Sequence, residues 1–463
     1  MSSLPARTSG TVPASAPPVR QTIEASLQSF SHFIDRVQKP MELVKVSGRV
    51  ASVTGSGIAV KGLSPFTKVG DFVRLGLEQD SALAEVLSIN ASEVMVKSLD
   101  STAGVRIGSP AQFVGPLRFA PSNAWRGRVI SALAEPLDGL GPLEMGPEDI
   151  AITGLPPPSM ARAAVSQRVT TGVKGIDVFT PICLGQRVGI FAGSGVGKST
   201  LMSMLVRAPG FDTAVIALVG ERGREVTEFV HETLGDAIKK SVVIVSTSDE
   251  SAGRRKMVPL LATAVAEHFR DQGQQVLLIM DSVTRYAHAL RELALASGEP
   301  PVARGYPPSV FGLLPQLLER AGPGRIGTGA ITAFYAVLVD GDNHNEPVAD
   351  TLRGILDGHI VLNRNIAAAG RYPAIDILAS ISRLSGKAWT NDERKIAQEM
   401  RRLMSRFEET KDLRALGGYQ PGADLDLDRA VAFVPKLYGA LQQSVTEAFC
   451  SDPFGQVARQ TKA

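Results

Sequence analysis

The sequence has little of what marks secreted, membrane-spanning or disulfide-bonded proteins. Its two cysteines, Cys183 and Cys450, lie far apart and outside any metal-ligand spacing, which argues against a disulfide framework and a zinc site. The longest nearly apolar stretch, Gly329 to Val339, is too short to span a bilayer, and the polar N-terminus lacks the apolar core of a secretory signal. We therefore expect a cytoplasmic protein.

An excess of charge of one sign is also missing. The 49 basic and 46 acidic residues leave a net charge of +3, so no global positive field favours nucleic acid or an anionic membrane. A platform for single-stranded nucleic acid needs aromatic side chains interleaved with basic ones. The region from Val44 to Phe119 contains few aromatic residues, namely Phe66, Phe72, Phe113 and Phe119. We therefore expect no nucleic-acid partner.

Length and composition indicate several packed domains. The 463 residues, of which 44% are hydrophobic, correspond to two to four domains at about 100–200 residues each. Residues 1–21 are rich in Ser, Pro, Ala and Thr and predict a flexible tail. Apolar residues recur at helical spacing from Thr22 to Gln38, which predicts a short amphipathic helix. Short β-branched runs from Val44 to Phe119 predict a small β-barrel.

The remainder of the chain predicts an α/β core followed by a helical region. Buried strands are predicted at Val188–Phe191, Thr213–Val219, Val242–Val245, Val276–Met280 and Ile331–Val339. Because helical segments mostly connect them, we expect a largely parallel sheet. Helical periodicity returns at Asn391–Phe407 and Asp428–Glu447. The predicted domains are 1–40 (tail and helix), 41–119 (β-barrel), 120–385 (nucleotide-binding core) and 386–463 (helical C-terminal domain).

A glycine-rich segment in the core has the spacing of a P-loop. Ala192-Gly-Ser-Gly-Val-Gly-Lys-Ser199 follows a predicted strand and opens a predicted helix, with alanine in place of the usual first glycine. Glycines let backbone N–H groups close around phosphate oxygens, the lysine reaches the outer phosphates, and the serine hydroxyl binds Mg²⁺. The predicted nucleotide-binding residues of this loop are Gly193, Ser194, Gly195, Val196, Gly197, Lys198, Ser199 and Thr200.

Two further strands end in carboxylates. Asp281 follows Val276–Met280, where a carboxylate in direct or indirect contact with Mg²⁺ is expected, although an aspartate at a strand end also caps turns. The segment Gly220-Glu-Arg-Gly-Arg-Glu225 follows another strand and could position the water that attacks a phosphate. The residues alone leave Glu221 and Glu225 as alternatives for that role, and a solvated loop as a third interpretation.

Several motifs in the same order resemble the catalytic subunits of rotary ATP synthases and, more closely, flagellar and type III secretion ATPases. The resemblance covers about residues 48–449, including the P-loop and the Gly220–Glu225 segment. The other segments are Thr171-Gly-Val-Lys-Gly-Ile-Asp177, Gly185-Gln-Arg187, Leu278-Ile-Met-Asp-Ser-Val-Thr-Arg-Tyr286, Gly298-Glu-Pro-Pro301, Gly305-Tyr-Pro-Pro-Ser-Val310 and Pro373-Ala-Ile-Asp-Ile-Leu-Ala-Ser-Ile-Ser382. The resemblance implies a RecA-like ATPase core.

The resemblance also implies roles for individual residues. It makes Glu221 the residue that activates water and places Arg222 near the terminal phosphate. It places Tyr372 against adenine and makes Arg383 an arginine finger. An aromatic face and a guanidinium suit these two tasks, whereas the alternatives are a core or interface tyrosine and a structural ion pair.

The resemblance further implies an ATP- and Mg²⁺-dependent homohexamer. A finger in this family acts from a neighbouring subunit, and this chain carries both the finger and the catalytic glutamate, so every site of a ring of identical subunits is complete. Non-catalytic subunits have glutamine at the position of Glu221, so we expect this chain to hydrolyse ATP.

Partners and branch also follow from the resemblance. Leu290-Arg-Glu-Leu-Ala-Leu-Ala296 and Asp412-Leu-Arg-Ala-Leu-Gly-Gly-Tyr419 favour the flagellar over the injectisome branch. The implied role is protein export at the inner-membrane export gate. A regulatory protein would bind the N-terminal helix, which alternatively packs on its own barrel. A stalk-like protein and export chaperones or substrates would bind the C-terminal domain. The competing hypotheses are an RNA-translocating hexamer and a nucleotide-binding assembly scaffold.

Overall fold

The computed structural model describes residues 45–55, 57–76, 81–100, 104–165, 167–339 and 346–462. The predicted tail and the amphipathic helix at Thr22–Gln38 lie outside these residues. Residues Gly48–Ala463 form one compact unit.

Six strands of the N-terminal region close into a barrel in the order β1-β2-β5-β4-β3-β6. They are β1 (Ser47–Val53), β2 (Ile58–Lys61), β3 (Phe72–Leu75), β4 (Ala82–Ile89), β5 (Glu93–Ser98) and β6 (Pro110–Gly115). Alternate residues face the interior; in β5 these are Val94, Val96 and Ser98, as the two-residue period of a strand requires. The predicted small β-barrel is confirmed.

A mostly parallel sheet follows the barrel, with the strand order β19-β18-β12-β17-β15-β13-β14-β8 and β16 paired with β17. Its strands are β8 (Val129–Ser131), β12 (Arg187–Ala192), β13 (Thr213–Glu221), β14 (Ser241–Thr247), β15 (Gln275–Asp281), β16 (Gly322–Pro323), β17 (Ala330–Leu338), β18 (Gly358–Leu362) and β19 (Ile375–Ser382). Small two-stranded ladders pair β7 (Arg118–Phe119) with β9 (Ile150–Ala151), and β10 (Arg168–Val169) with β11 (Ile182–Cys183). The edge strand β19 runs antiparallel to β18.

Helices cover the sheet and form the C-terminal region. They are α1 (Lys174–Phe179), α2 (Lys198–Val206), α3 (Gly223–Glu228), α4 (Ala252–Asp271), α5 (Val283–Ala296), α6 (Pro308–Leu318), α7 (Pro347–Ile355), α8 (Arg364–Ala368), α9 (Ser385–Ala388), α10 (Asn391–Glu409), α11 (Lys411–Ala415), α12 (Leu425–Leu441) and α13 (Pro453–Lys462). Shorter turns are the 3-10 segments Asn123–Trp125, Ser159–Ala161 and Gly235–Lys240 and the π segment Phe229–Leu234. In the part of the chain that the structure describes, no helix is both long and apolar enough to cross a bilayer.

The sheet is buried on both faces. In β13, Val215 and Val219 pack in one hydrophobic cluster, and Ile216 and Leu218 pack in a second cluster on the opposite face. Strands covered on both faces read as continuous apolar runs, which is why the five central strands were predictable from sequence.

The structure corrects the sequence prediction at two places. The strands β8, β18 and β19 were not predicted, because β8 and β18 are short and β19 mixes buried and exposed residues without a regular alternation. The helix predicted for Asp428–Glu447 runs instead from Leu425 to Leu441. It ends early because Gln442 takes an extended backbone conformation and the N–H of Gln443 donates to the carbonyl of Tyr372.

Candidate active site

The P-loop joins β12 to α2. Its residues Gly195 and Gly197 have φ angles of 76° and 92°, in the left-handed region that favours glycine. A Cβ atom at position 197 would also lie 3.4 Å from the ring of Tyr372. The loop therefore has the backbone conformation that turns N–H groups toward an anion at the start of α2.

Four charged side chains meet beside the P-loop, at the carboxyl ends of neighbouring strands. The Lys198 ammonium donates a hydrogen bond to Asp281, the last residue of β15, and lies 3.8 Å from Oε1 of Glu221, the last residue of β13. The guanidinium of Arg285, on the first turn of α5, lies 3.2 Å from Oε2 of Glu221. Two cations and two carboxylates therefore balance one another around the loop.

The Glu221 carboxyl is held in a setting that disfavours its charge. Its side chain is 10% exposed, and Oε1 has no hydrogen-bond donor among the described residues. Burial, followed by the negative charge of Asp281, raises the pKa of Glu221 to about 7, although Lys198 and Arg285 oppose the rise. A carboxyl with a pKa near neutrality can exchange a proton with a reacting water.

The surroundings of Glu221 differ from those of Glu225, the alternative residue for positioning the attacking water. Glu225 pairs with Arg222 at 3.3 Å, and the Arg222 side chain is 79% exposed. Of the two glutamates, Glu221 is the one that forms an ion pair with Lys198. Arg222 and Glu225 still line the same cavity, so their side chains border the space in which a phosphate would lie.

A cavity of about 420 Å³ opens around these residues, a size within the usual range for small-molecule sites. Its lining includes Gly193, Ser194, Gly195, Gly197, Lys198, Ser199, Thr200, Glu221, Arg222, Glu225, Asp281 and Arg285. Val196 differs from the other loop residues because its side chain is buried in the hydrophobic core. It therefore presents only backbone groups to a ligand.

Tyr372 lies at the same end of the sheet's strands as the P-loop. It precedes β19 and packs its ring over Gly197, and it also lines a second cavity of about 710 Å³ formed with the helical C-terminal region. The residue is 41% exposed. An aromatic face beside the loop is therefore available for stacking.

Arg383 lies at the opposite end of the sheet's strands from the P-loop. Its N–H donates to the carbonyl of Asp357, whose own N–H donates to the carbonyl of Arg187 at the start of β12. Because Ala192 follows Arg187 by five residues, Arg383 is roughly 16 Å from the level of its own P-loop, at about 3.3 Å per strand residue. Its exposed guanidinium donates to the carbonyl of Arg353.

Comparison with known proteins identifies the family. The model "ATP synthase alpha/beta family, nucleotide-binding domain" matches residues 172–382, and "T3SS EscN ATPase C-terminal domain" matches residues 389–453. The "Flagellum-specific ATP synthase" of Rhizobium meliloti (strain 1021) is 53% identical over 438 residues, which cover 95% of this chain and 94% of the relative. The chain belongs to the flagellum-specific ATP synthase family.

Other members and relatives of the flagellum-specific ATP synthase family match over most of their length. The Bacillus subtilis (strain 168) member is 45% identical over 86% of this chain and 91% of its own. The "SPI-2 type 3 secretion system ATPase" of Salmonella typhimurium is 45% identical over 79% of this chain and 84% of its own. The structure of assembled EscN from the type III secretion system of enteropathogenic E. coli superposes with a TM-score of 0.82 at 38% identity, covering 90% of this chain and 99% of EscN.

Membership of the flagellum-specific ATP synthase family confirms two predictions made from the sequence. The chain is a nucleotide-binding ATPase, and it belongs to the flagellar branch rather than to the injectisome branch. The fold, with its barrel, mostly parallel P-loop sheet and helical C-terminal region, is that of EscN.

One residue at the site was not predicted from the sequence. Arg285 lies within the Leu278–Tyr286 motif, but no role was predicted for it, although it forms an ion pair with Glu221. Its signal was present in the sequence: it follows Asp281 by four residues, which places it on the first turn of the helix that leaves the carboxyl end of β15.

Proposed function

We propose that this chain works as a homohexameric, MgATP-hydrolysing ATPase of the flagellar type III export apparatus, where it assists delivery of flagellar subunits. The observation that carries the catalytic part is the meeting of Lys198, Glu221, Asp281 and Arg285 at the mouth of the P-loop.

The loop and its neighbours fit a bound nucleotide. Backbone N–H groups of Gly193 to Thr200 surround the phosphates, and Lys198 exchanges its contact with Asp281 for the outer phosphates. Tyr372 stacks against adenine, which is consistent with its ring lying 3.4 Å from the Cβ position of Gly197.

The donor set also fits Mg²⁺, which prefers hydroxyl, carboxylate and water oxygens. The exposed Ser199 hydroxyl at the cavity and the Asp281 carboxylate are the groups that would hold it, Asp281 either directly or through water. When bound, the ion supplies positive charge that offsets charge developing on the phosphate oxygens.

Glu221 orients and polarises the attacking water. Its buried Oε1 lacks a donor among the described residues, so it is available to accept a hydrogen bond from that water. Arg285 holds the other carboxylate oxygen, and so fixes the direction of Oε1. Arg222 is long and exposed at the cavity, from where its guanidinium approaches the terminal phosphate.

The position of Arg383 supports the hexamer. Its guanidinium cannot reach its own P-loop across roughly 16 Å of sheet, so a role as an arginine finger requires a second subunit. The assembled form of the relative EscN is consistent with a ring in which each subunit offers Arg383 to the next.

The remaining partners are proposed from the family. EscN has been solved "in complex with its central stalk EscO", and we propose a stalk-like partner at the helical C-terminal region of this chain. Export chaperones or substrates would bind the same region, and a regulatory protein would bind the N-terminal segment. Peripheral association with the inner-membrane export gate would bring the ring to its site of action.

Steady-state ATP hydrolysis with and without single-stranded RNA tests the proposal. We expect the wild type to turn over ATP, Glu221→Gln to bind nucleotide but lose turnover, and RNA to have no effect. RNA-stimulated turnover would indicate a nucleic-acid translocase instead. Normal flagellar export in cells that carry only Glu221→Gln would indicate a scaffold whose hydrolysis is dispensable.

A further inference from the structure

The segment Gly185-Gln186-Arg187 is shared with the family but lies away from the nucleotide cavity. Gln186 is fully buried at the end of β12 that is remote from the P-loop. Its Oε1 accepts the N–H of Cys183 at 2.9 Å. Its Nε2 donates to the carbonyl of Asp357 at 3.2 Å and to Oγ of Ser382 at 3.1 Å. A buried amide with all these contacts fixes the relative positions of three chain segments.

Both acceptors of the Gln186 amide flank Arg383. Ser382 precedes Arg383 in the chain, and its hydroxyl donates onward to the carbonyl of Pro181 at 2.8 Å. The Asp357 carbonyl that accepts from Gln186 also accepts the N–H of Arg383 at 2.9 Å. Hydrogen bonds at Ser382 and at the N–H of Arg383 therefore fix the backbone at Arg383.

A neighbouring ion pair holds Asp357 in turn. Its carboxylate accepts a hydrogen bond from the backbone N–H of Arg187 at 3.0 Å and another from the side-chain Nε–H of the same residue at 3.2 Å. The guanidinium of Arg187 also pairs with Glu319. Arg383 itself projects from this fixed base as an exposed side chain.

We propose that Gln186 is a positioning residue for Arg383, holding the backbone from which its guanidinium reaches the nucleotide of the adjacent subunit. The inference rests on the proposed role of Arg383 as an arginine finger. A long side chain that acts across a subunit boundary must start from a fixed point, because a displacement of about 1 Å lowers rates by about a hundredfold.

Mixed rings test the proposal. Gln186→Met keeps the length of the side chain but removes the amide, and we expect turnover to fall about tenfold to a hundredfold while fluorescent ADP binds with unchanged affinity. Glu221→Gln has an intact Arg383 but lacks the residue that activates water. When the two variants are mixed before assembly, some sites combine Glu221 from a Gln186→Met subunit with Arg383 from a Glu221→Gln subunit. These sites are complete. The mixture should therefore exceed the summed activities of the separate variants.

Three other variants are each mixed with Glu221→Gln as controls. The mixture with Arg383→Ala should recover activity in the same way as the mixture with Gln186→Met. Lys198→Ala should not recover, because both defects then lie on the P-loop side of the site. Gln274→Met removes a structural amide that contacts Arg126 and Thr213, just before the start of β15, and its mixture should show no excess activity.

The outcomes separate this inference from the proposed function. If Arg383→Ala fails to recover, the finger itself is wrong. If Arg383→Ala recovers but Gln186→Met does not, or if Gln186→Met loses ADP affinity, the positioning role is overturned. Ser382→Ala provides a second variant, because it keeps Gln186 and removes one acceptor of its amide. A smaller loss of turnover that is recovered in the mixture with Glu221→Gln supports the inference. A loss of turnover that is not recovered in that mixture contradicts it.

Discussion

Glu221 occupies a position where ionisation is costly. Its carboxyl is buried beside Asp281, and Lys198 and Arg285 compensate only in part, so its pKa rises from 4.5 to about 7. Such a group is poised between its protonated and charged forms at the pH of the cell. Without ligands, the folded chain carries a free-energy penalty for keeping this carboxyl charged.

This penalty predicts a pH-dependent stability in the absence of Mg²⁺ and nucleotide. Between pH 4.5 and about 7 the folded chain keeps a proton that the unfolded chain has lost, so the free energy of unfolding decreases as the pH rises through this window. Glu221→Gln should not show this contribution. The stability difference between variant and wild type should grow by at most about 3 kcal/mol, at 1.36 kcal/mol per pKa unit.

Urea unfolding midpoints of both proteins from pH 4.5 to 8 measure the effect. Parallel curves for the wild type and Glu221→Gln would show that the carboxyl titrates normally in the folded chain.

Arg285 should control the same titration during catalysis. Arg285→Gln removes the cation 3.2 Å from Oε2, which raises the pKa of Glu221 further and leaves it protonated at neutral pH. We expect the acidic limb of the kcat/KM profile to move to higher pH, with partial recovery of rate under alkaline conditions. Arg255→Gln is the matched control, because Arg255 pairs with Glu292. Superimposable profiles for the wild type and Arg285→Gln would contradict the assignment.

The site was predictable from sequence wherever a local pattern determines position. Glycine spacing identified the P-loop, and Asp281 was identified by its place at the end of an apolar strand. The residues alone left Glu221 and Glu225 as alternatives, and the family resemblance favoured Glu221; the contacts themselves are absent from any local pattern, because the fold pairs Glu221 with Lys198 and Glu225 with Arg222. Arg285 was missed for the same reason: its partner is 64 residues away in sequence.

At the scale of elements, one hydrogen-bonded junction joins the helical C-terminal region to the P-loop. Gln443, just after α12, donates its backbone N–H to the Tyr372 carbonyl at 2.8 Å. Its side chain accepts from the N–H of Lys174 at 2.7 Å and donates to the Gly172 carbonyl at 2.9 Å. Because the Tyr372 ring covers Gly197, the end of α12 is mechanically connected to the nucleotide site.

This junction predicts a specific kinetic change. Gln443→Ala keeps the backbone N–H that bonds to Tyr372 but removes both side-chain hydrogen bonds of a buried amide, so the segment that holds the Tyr372 carbonyl is less firmly fixed. We expect KM for ATP to rise several-fold, about 1 kcal/mol in binding, with a smaller change in kcat. Gln398→Ala, on the exposed face of α10, is the matched control. In a Tyr372→Ala background, Gln443→Ala should add little, and fully additive effects would show that Gln443 acts elsewhere.

Elements differed in how far their sequences predicted them. The central strands β13 and β15 each contain a continuous apolar run, so their existence and type were clear. The edge strand β19 is interrupted by the exposed residues Leu378, Ala379 and Ile381, and β18 is only five residues long, so neither stands out without the pairing that the fold supplies. The end of α12 was misplaced because a tertiary hydrogen bond to Tyr372, rather than a local signal, terminates it.

At the scale of the whole molecule, the barrel is fastened to the ATPase core through α4. Lys256 pairs with Glu85 of β4, Arg254 pairs with Asp100, and the Ser251 hydroxyl donates to the carbonyl of Leu99. These contacts hold the barrel against the helix that packs on the ATPase sheet. The same sheet carries both groups: the P-loop lies at one end of its strands, and the exposed Arg383 lies at the other end.

This separation of the two half-sites within one chain predicts that activity depends on assembly. A single subunit has the P-loop, Glu221 and Asp281 but cannot bring Arg383 to its own phosphates, so specific ATPase activity should rise with protein concentration and reach a plateau when rings are complete. Mass photometry on the same samples should show hexamers appearing over the same range. Arg383→Ala should assemble like the wild type, because within its own subunit it removes an exposed side chain that donates a hydrogen bond to the Arg353 carbonyl, yet it should remain at least tenfold less active at every concentration. Specific activity independent of concentration, or unaffected by Arg383→Ala, would mean that each subunit completes its own site, and the shared-site ring would have to be abandoned.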